Sequence, residues 1–189
     1  DLRVSTREPI RKPRKREDRP PKDRPNPVRL NPPPPSQRHL LAVDMGLRTG
    51  LAIYGPDGRL VSYRSKHFAK ISELRRGIGT ILRDTPPLAW IWLEGGGDIA
   101  TVWEKQAVHR GIDFRQLQAH DWRPTLMLPR QQRNGEIAKR EADGLARRVI
   151  EWSGIGRPKG DLRHDTAEAI LIGLHGAISV GLLQDLPPI

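Results

Sequence analysis

Asp44 closes the apolar run His39-Leu-Leu-Ala-Val, and Glu94 closes a second one, Leu88-Ala-Trp-Ile-Trp-Leu. A carboxylate at the end of a buried strand is costly to desolvate unless a partner or a cation meets it. Met45-Gly46 and Gly95-Gly96-Gly97 follow the two acids, and glycine lets backbone pass close to whatever a carboxylate holds. A third candidate lies in His164-Asp165-Thr-Ala-Glu168-Ala-Ile, where Asp165 and Glu168, at i and i+3, share a helix face. Like charges held that close repel, so the pair invites a cation. His164 falls on the same side, four residues before Glu168, as a further ligand or a group that orients water. Four carboxylates from different elements suit two hard divalent ions, Mg2+ or Mn2+, about 4 Å apart. Such a pair clamps a phosphodiester, one ion activating water and the other stabilising the leaving oxygen. Each acid has an ordinary alternative: Asp44 as a turn cap, Glu94 as a solvated strand end, Asp165 as a favourable charge at a helix N-terminus.

Composition narrows the chemistry. The 189 residues contain no cysteine, which excludes disulfides, thiolate metal sites and cysteine nucleophiles. A net charge of +11 points to an acidic partner, most often nucleic acid. The longest apolar run, around Ala167 to Leu174, is too short to span a bilayer, so no membrane partner is expected. Residues 1–38 hold 10 of the 18 prolines and 12 Lys/Arg against 5 Asp/Glu, a net +7. Such a block builds no core and is expected to be a disordered, polyproline-like basic arm, either a solvated leader or a source of salt-sensitive phosphate affinity. It is rich in arginine and lacks the apolar block of a secretory signal, and a remnant beside a removed transit peptide would put the protein in a mitochondrion or chloroplast. Residues 39–189 then form one domain with 21 positive and 17 negative side chains, so most of the basic excess sits in the arm.

The elements that must carry the acids follow from pattern. Strands are expected at His39–Asp44, at Leu51–Tyr54 after a tight turn over Gly46–Gly50, and at Arg59–His67 after the turn Gly55-Pro56-Asp57-Gly58. A helix is expected over Ile71–Arg83, a strand over Leu88–Leu93 with Glu94 at its end, a helix over Asp98–Arg110 and a strand over Ile112–Leu117. Arg123–Gly135 reads as a polar, basic loop, and Glu136–Trp152 and His164–Leu183 as closing helices. The order β-β-β-α-β-α-β-α-α predicts an α/β domain with a mixed sheet, its first three strands an antiparallel meander.

Three segments resemble one family. Leu41-Ala-Val-Asp44-Met-Gly46-Leu-Arg-Thr-Gly50-Leu-Ala resembles the first-strand motif of RuvC-type Holliday-junction resolvases, and Leu93-Glu94-Gly95 their second acidic motif. His164-Asp165-Thr-Ala-Glu168-Ala-Ile-Leu-Ile-Gly-Leu resembles their closing helix, and Ala119-His120-Asp121-Trp122-Arg123 the segment after the fifth strand in phage-like and organellar members. The resemblance spans roughly residues 39–183. It implies an RNase H-like fold, with parallel strands following the antiparallel ones, two magnesium ions, and structure-selective cleavage of nucleic acid in DNA recombination and repair by a homodimer. Branched DNA is the favoured substrate, with RNA as the other candidate. Two departures stand out: the Asp44–Gly50 turn is one residue shorter than in bacterial resolvases, and Glu168 stands where many members carry aspartate.

Arg123, Arg130, Arg133, Lys139 and Arg140 are the candidate phosphate contacts, since arginine suits bidentate pairing; their alternative is a solvated surface. Of the five tryptophans most are expected in the core, with Trp122 the best candidate to stack on unpaired bases. The competing reading of the whole chain is a non-catalytic nucleic-acid-binding module of the same fold, such as a protein component of an organellar ribosome or transcription complex.

Overall fold

The computed structural model describes residues 34–158 and 160–189. The expectation of a disordered arm falls almost wholly on residues 1–33, outside the described residues; Pro35–Gln37, next to the domain, form a short 3-10 turn.

Ten regular elements follow in the order β1 (His39–Asp44), β2 (Arg48–Tyr54), β3 (Leu60–His67), α1 (Ile71–Arg83), β4 (Leu88–Glu94), α2 (Gly97–His109), β5 (Asp113–Leu117), α3 (Ala119–Leu126), α4 (Gly135–Trp152) and α5 (His164–Ser179). The strands form one mixed sheet in the order β3-β2-β1-β4-β5. β1, β2 and β3 pair antiparallel, whereas β1 with β4 and β4 with β5 pair parallel. The expected mixed sheet, a meander followed by parallel strands and flanked by helices, is therefore present.

Side chains alternate across a strand, so the two faces of β1 enter different cores. Leu40 and Ala42 pack with Tyr54, Trp92 and the residues of α4 and α5. Leu41 and Val43 pack with Leu51, Ile91, Leu93 and the apolar stripes of α1 and α2. Central strands covered on both faces read as continuous apolar runs, which is why β1 and β4 were legible. In α1 the stripe Leu74, Ile78, Ile81 and Leu82 is buried, while Ile71 in the first turn is exposed.

α5 is the helix that organises the domain. It is apolar nearly all round, as a helix held between a sheet and a second helix must be. Its glycines let it lie close: a Cβ on Gly173 would meet the Tyr54 ring at 2.3 Å, and one on Gly176 would meet Leu40 at 2.9 Å. The Tyr54 hydroxyl donates to the Ile170 carbonyl oxygen at 2.6 Å and ties β2 to the helix.

Three expectations need correction. Gly50 is not in the turn but inside β2, because β2 starts at Arg48 and the turn tightens around a Thr49 Oγ1 to Gly46 carbonyl bond of 2.6 Å. Residues 123–135 are not one loop: α3 occupies Ala119–Leu126 and a 3-10 turn follows at Pro129–Gln132. Pro124 argues against a helix on propensity, but the Gln118/Asp121 capping box and the burial of Trp122 and Leu126 hold it. Finally, α5 stops at Ser179 rather than Leu183, closed by Gly181 at φ +78° and by the Leu182 and Leu183 amides donating to Ala177.

Candidate active site

Strand register sets up the site. Asp44 is paired with Glu94 on β4 and with Gly50 on β2; Gly50 is paired with Ser65 on β3, and Glu94 with Leu117 on β5. These five residues form one row across the sheet, two residues beyond the Ala42–Trp92 row that supports α5. Both acids therefore face the α5 side, at the end where that helix begins.

Gly50 is what admits the helix. A Cβ there would lie 1.8 Å from the Asp165 carbonyl oxygen and 2.2 Å from its carbonyl carbon, so backbone passes over backbone. That approach sets Asp165 and Glu168 above Asp44. The Ser65 hydroxyl donates to Asp165 Oδ2. The Trp122 indole N–H donates to Glu94 Oε2. Arg123 Nη2 donates to Glu168 Oε1 at 2.6 Å.

The acids feel one another. Burial, then the charges of Glu168, Glu94 and Asp165 in that order, push the Asp44 carboxyl up from 3.8 to about 8, and a hydrogen bond with Glu168 adds to the shift. Burial also raises Glu94, against the downward pull of the Trp122 N–H. A sign follows for the ion-free protein. Between about pH 4 and about pH 8 folded Asp44 holds a proton that the unfolded chain has released, so its contribution to stability is complete at the acid end and is lost as pH rises through about 8. In EDTA, the melting temperature of the parent is therefore expected to fall below that of Asp44→Asn as pH is raised from about 5 to about 9. Melting curves that stay parallel across this range would contradict the assignment.

Among the described residues no set of three or more histidine, aspartate or glutamate side chains stands converged on a single cation position. Glu94, Asp165 and Glu168 each turn instead to a donor of the chain itself. The donor set nonetheless fits a hard divalent ion: oxygen ligands from four carboxylates, with a mutual repulsion that protonation or a cation relieves.

The other expected residues are divided. His164 is exposed and borders an open cleft of about 790 Å³ with Arg48, Asp161, Leu162, Arg163 and Asp165. A second cleft of about 600 Å³ shares Asp161, Leu162 and His164 with it and reaches Lys139, Arg140 and Arg147 on α4. Lys139 and Arg140 therefore lie on a path that leads to Asp165, whereas Arg130 and Arg133 are exposed and border neither cleft. The stacking role expected for Trp122 is overturned: the ring is 0% exposed, its face has no access to a base, and its N–H is committed to Glu94. Arg123 likewise points at Glu168 rather than outward. Ser65, Arg48 and Arg163 escaped the sequence reading. Ser65 and Arg48 become visible once the β1–β2–β3 register is known; Arg163 carries no signal beyond standing one residue before α5.

No protein-family model matches the chain, and no curated protein matches it either. Among solved structures, the fold resembles the crystal structure of Fowlpox virus resolvase with its substrate Holliday-junction DNA, at a TM-score of 0.52 and 16% identity, covering 77% of this chain and 99% of that one. A chain of the simian T-cell lymphotropic virus intasome in complex with PP2A regulatory subunit B56 gamma reaches a TM-score of only 0.31 at 10% identity, covering 82% of this chain and 58% of that one, and carries no argument. At such identity the first likeness speaks to architecture. Together with the strand order and the flanking helices, it establishes an RNase H-like fold. Among the described residues no helix is long and apolar enough to cross a membrane.

Proposed function

We propose that the chain is a metal-dependent, structure-selective endonuclease of the RuvC-like kind, hydrolysing DNA phosphodiesters and acting on Holliday junctions as a homodimer. The observation that carries this is the pairing of Asp44 with Glu94 on adjacent central strands, beneath the start of a helix that brings Asp165 and Glu168 over them. Half-buried acids of like charge this close cost stability and make sense where a cation is to be received.

Asp44, Glu94, Asp165 and Glu168 would hold magnesium or manganese. Two such ions, when bound, supply an activated water and stabilise the leaving oxygen. The chain's own groups do the rest. Ser65 orients Asp165 and Trp122 orients Glu94, so two of the four ligands are held by neutral donors that leave their charge in place. Asp44 would have to give up its proton to serve as a ligand. His164 at the cleft rim is placed to orient water or a phosphate oxygen, and Arg48, Arg163, Lys139 and Arg140 offer charge-assisted contacts to flanking phosphates.

A second reading has its own support. Glu94, Asp165 and Glu168 are already satisfied by protein donors, which fits a module that binds nucleic acid without cutting it. A cleavage assay with labelled four-way junctions in magnesium, with duplex, flap and RNA–DNA hybrid controls, separates the two. Paired symmetric cuts support the junction resolvase. Cutting of another substrate keeps the site and changes the substrate. Tight binding without cutting in magnesium or manganese favours the binding module.

A further inference from the structure

The helix α3 brings two consecutive side chains to two different acids. Trp122, fully buried, fixes the backbone and donates to Glu94; Arg123, next to it, reaches Glu168 at 2.6 Å. Only 26% of the Arg123 side chain and 16% of the Glu168 side chain are exposed. A charge pair this far withdrawn from water is much less screened than a surface one. The guanidinium also lies over the Trp122 ring, 5.4 Å from its centroid, a cation–π contact.

Among the described residues no hydrogen-bond partner meets the buried Arg123 Nε. Structural arginines in partly buried sites normally satisfy their donors, because an unmet buried donor is costly. That cost is offset where the guanidinium stands beside two of the acids, bonded to Glu168 and pulling the Glu94 carboxyl down by its charge. A divalent ion taken up at Glu168 would then meet a positive charge already bound to its ligand, and the two would repel at close range.

We propose that Arg123 is the chain's own counter-cation for the acid cluster, holding Glu168 when no divalent ion is present and competing with the ion for it. The inference rests on the metal-binding reading above and adds to it a residue that sets when the site fills. Glu168 would then become available as a ligand only once Arg123 lets go of it. A phosphate of the substrate strand is a chemically suitable new partner for the released guanidinium.

The test is Mn2+ uptake by the free protein, followed by titration calorimetry, for the parent, Arg123→Met and Arg123→Lys, with melting temperatures in EDTA and in Mg2+. Arg123→Met keeps the stem and removes the charge. It is expected to take up the weaker-binding Mn2+ roughly tenfold more tightly, as removal of a close like charge predicts, and to melt lower than the parent in EDTA. Arg123→Lys should lie near the parent in both respects. Unchanged or weaker Mn2+ uptake by Arg123→Met would sink the competition, whereas absence of uptake by parent and variant alike would sink the metal reading beneath it. Should the methionine variant not fold, the guanidinium NMR signal of Arg123 in the unaltered chain, assigned with Arg123→Lys, serves instead. It should shift on adding Mg2+, and a signal indifferent to Mg2+ overturns the proposal.

Discussion

Replacing Asp44 by asparagine is expected to lower the rate of magnesium-dependent junction cleavage by at least about a thousandfold, or about 4 kcal/mol of transition-state stabilisation. Binding of the same junction should stay within a few-fold of the parent. The reasoning is positional. Asp44 is the acid whose carboxyl burial, and then the charges of Glu168, Glu94 and Asp165, together push up. On the proposed metal-binding reading it is the carboxylate that would serve both ions. Asparagine keeps shape and volume and resembles the protonated carboxyl that the ion-free fold prefers, so the substitution leaves stability at neutral pH equal or higher. Loss of cleavage therefore cannot be ascribed to unfolding. Single-turnover cleavage with a parallel binding titration checks it, and equal loss of binding and cleavage would contradict the assigned role.

The second large effect is on the fold. Gly50→Ala is expected to destabilise the protein by about 3 kcal/mol or more, since overpacking against backbone leaves no flexible side chain to yield. The added Cβ would meet Asp165 backbone at 1.8 and 2.2 Å and the Thr166 amide nitrogen at 2.9 Å, so α5 itself has to move. For a domain of this size that corresponds to a fall in melting temperature of roughly 10 °C. Because α5 carries Asp165 and Glu168, cleavage should fall with it, even at temperatures where the variant is folded. Gly79→Ala is the control: it lies in the interior of α1 with nothing within 4 Å of an added Cβ, and it should be neutral or stabilising by up to about 1 kcal/mol. Similar melting temperatures for the two variants would show that the approach at Gly50 is not what positions the helix.

Much of this was legible in the chain, and the reason is local. β1 and β4 are apolar runs that stop at an acid, the turn at Gly55–Gly58 is written in turn residues, and α1 carries a 3.6-residue period. Signals of this kind depend on neighbours within a few residues, so the five strands, the helices α1, α2, α4 and α5 and the acids at the ends of β1 and β4 could be read from them. The i, i+3 spacing of Asp165 and Glu168 belongs to the same class, because a helix fixes which residues share a face whatever surrounds it.

What remained hidden depends on segments far apart in sequence. No local pattern says that Gly50 lies beneath the Asp165 carbonyl, since that contact exists only when β2 and α5 are packed. Ser65 became a partner of Asp165 through the β2–β3 register and the seating of α5. α3 misled the reading most. Pro124 and the polar surroundings suggest a loop, yet burial of Trp122 outweighs a weak local preference, and the same burial turns a tryptophan expected to stack on bases into a donor to Glu94. The sequence by itself determined which acids the chain owns and the elements that carry them. The tertiary structure alone decided which donors meet those acids, because hydrogen-bond partners across 28, 45 or 100 residues are selected by packing and not by propensity.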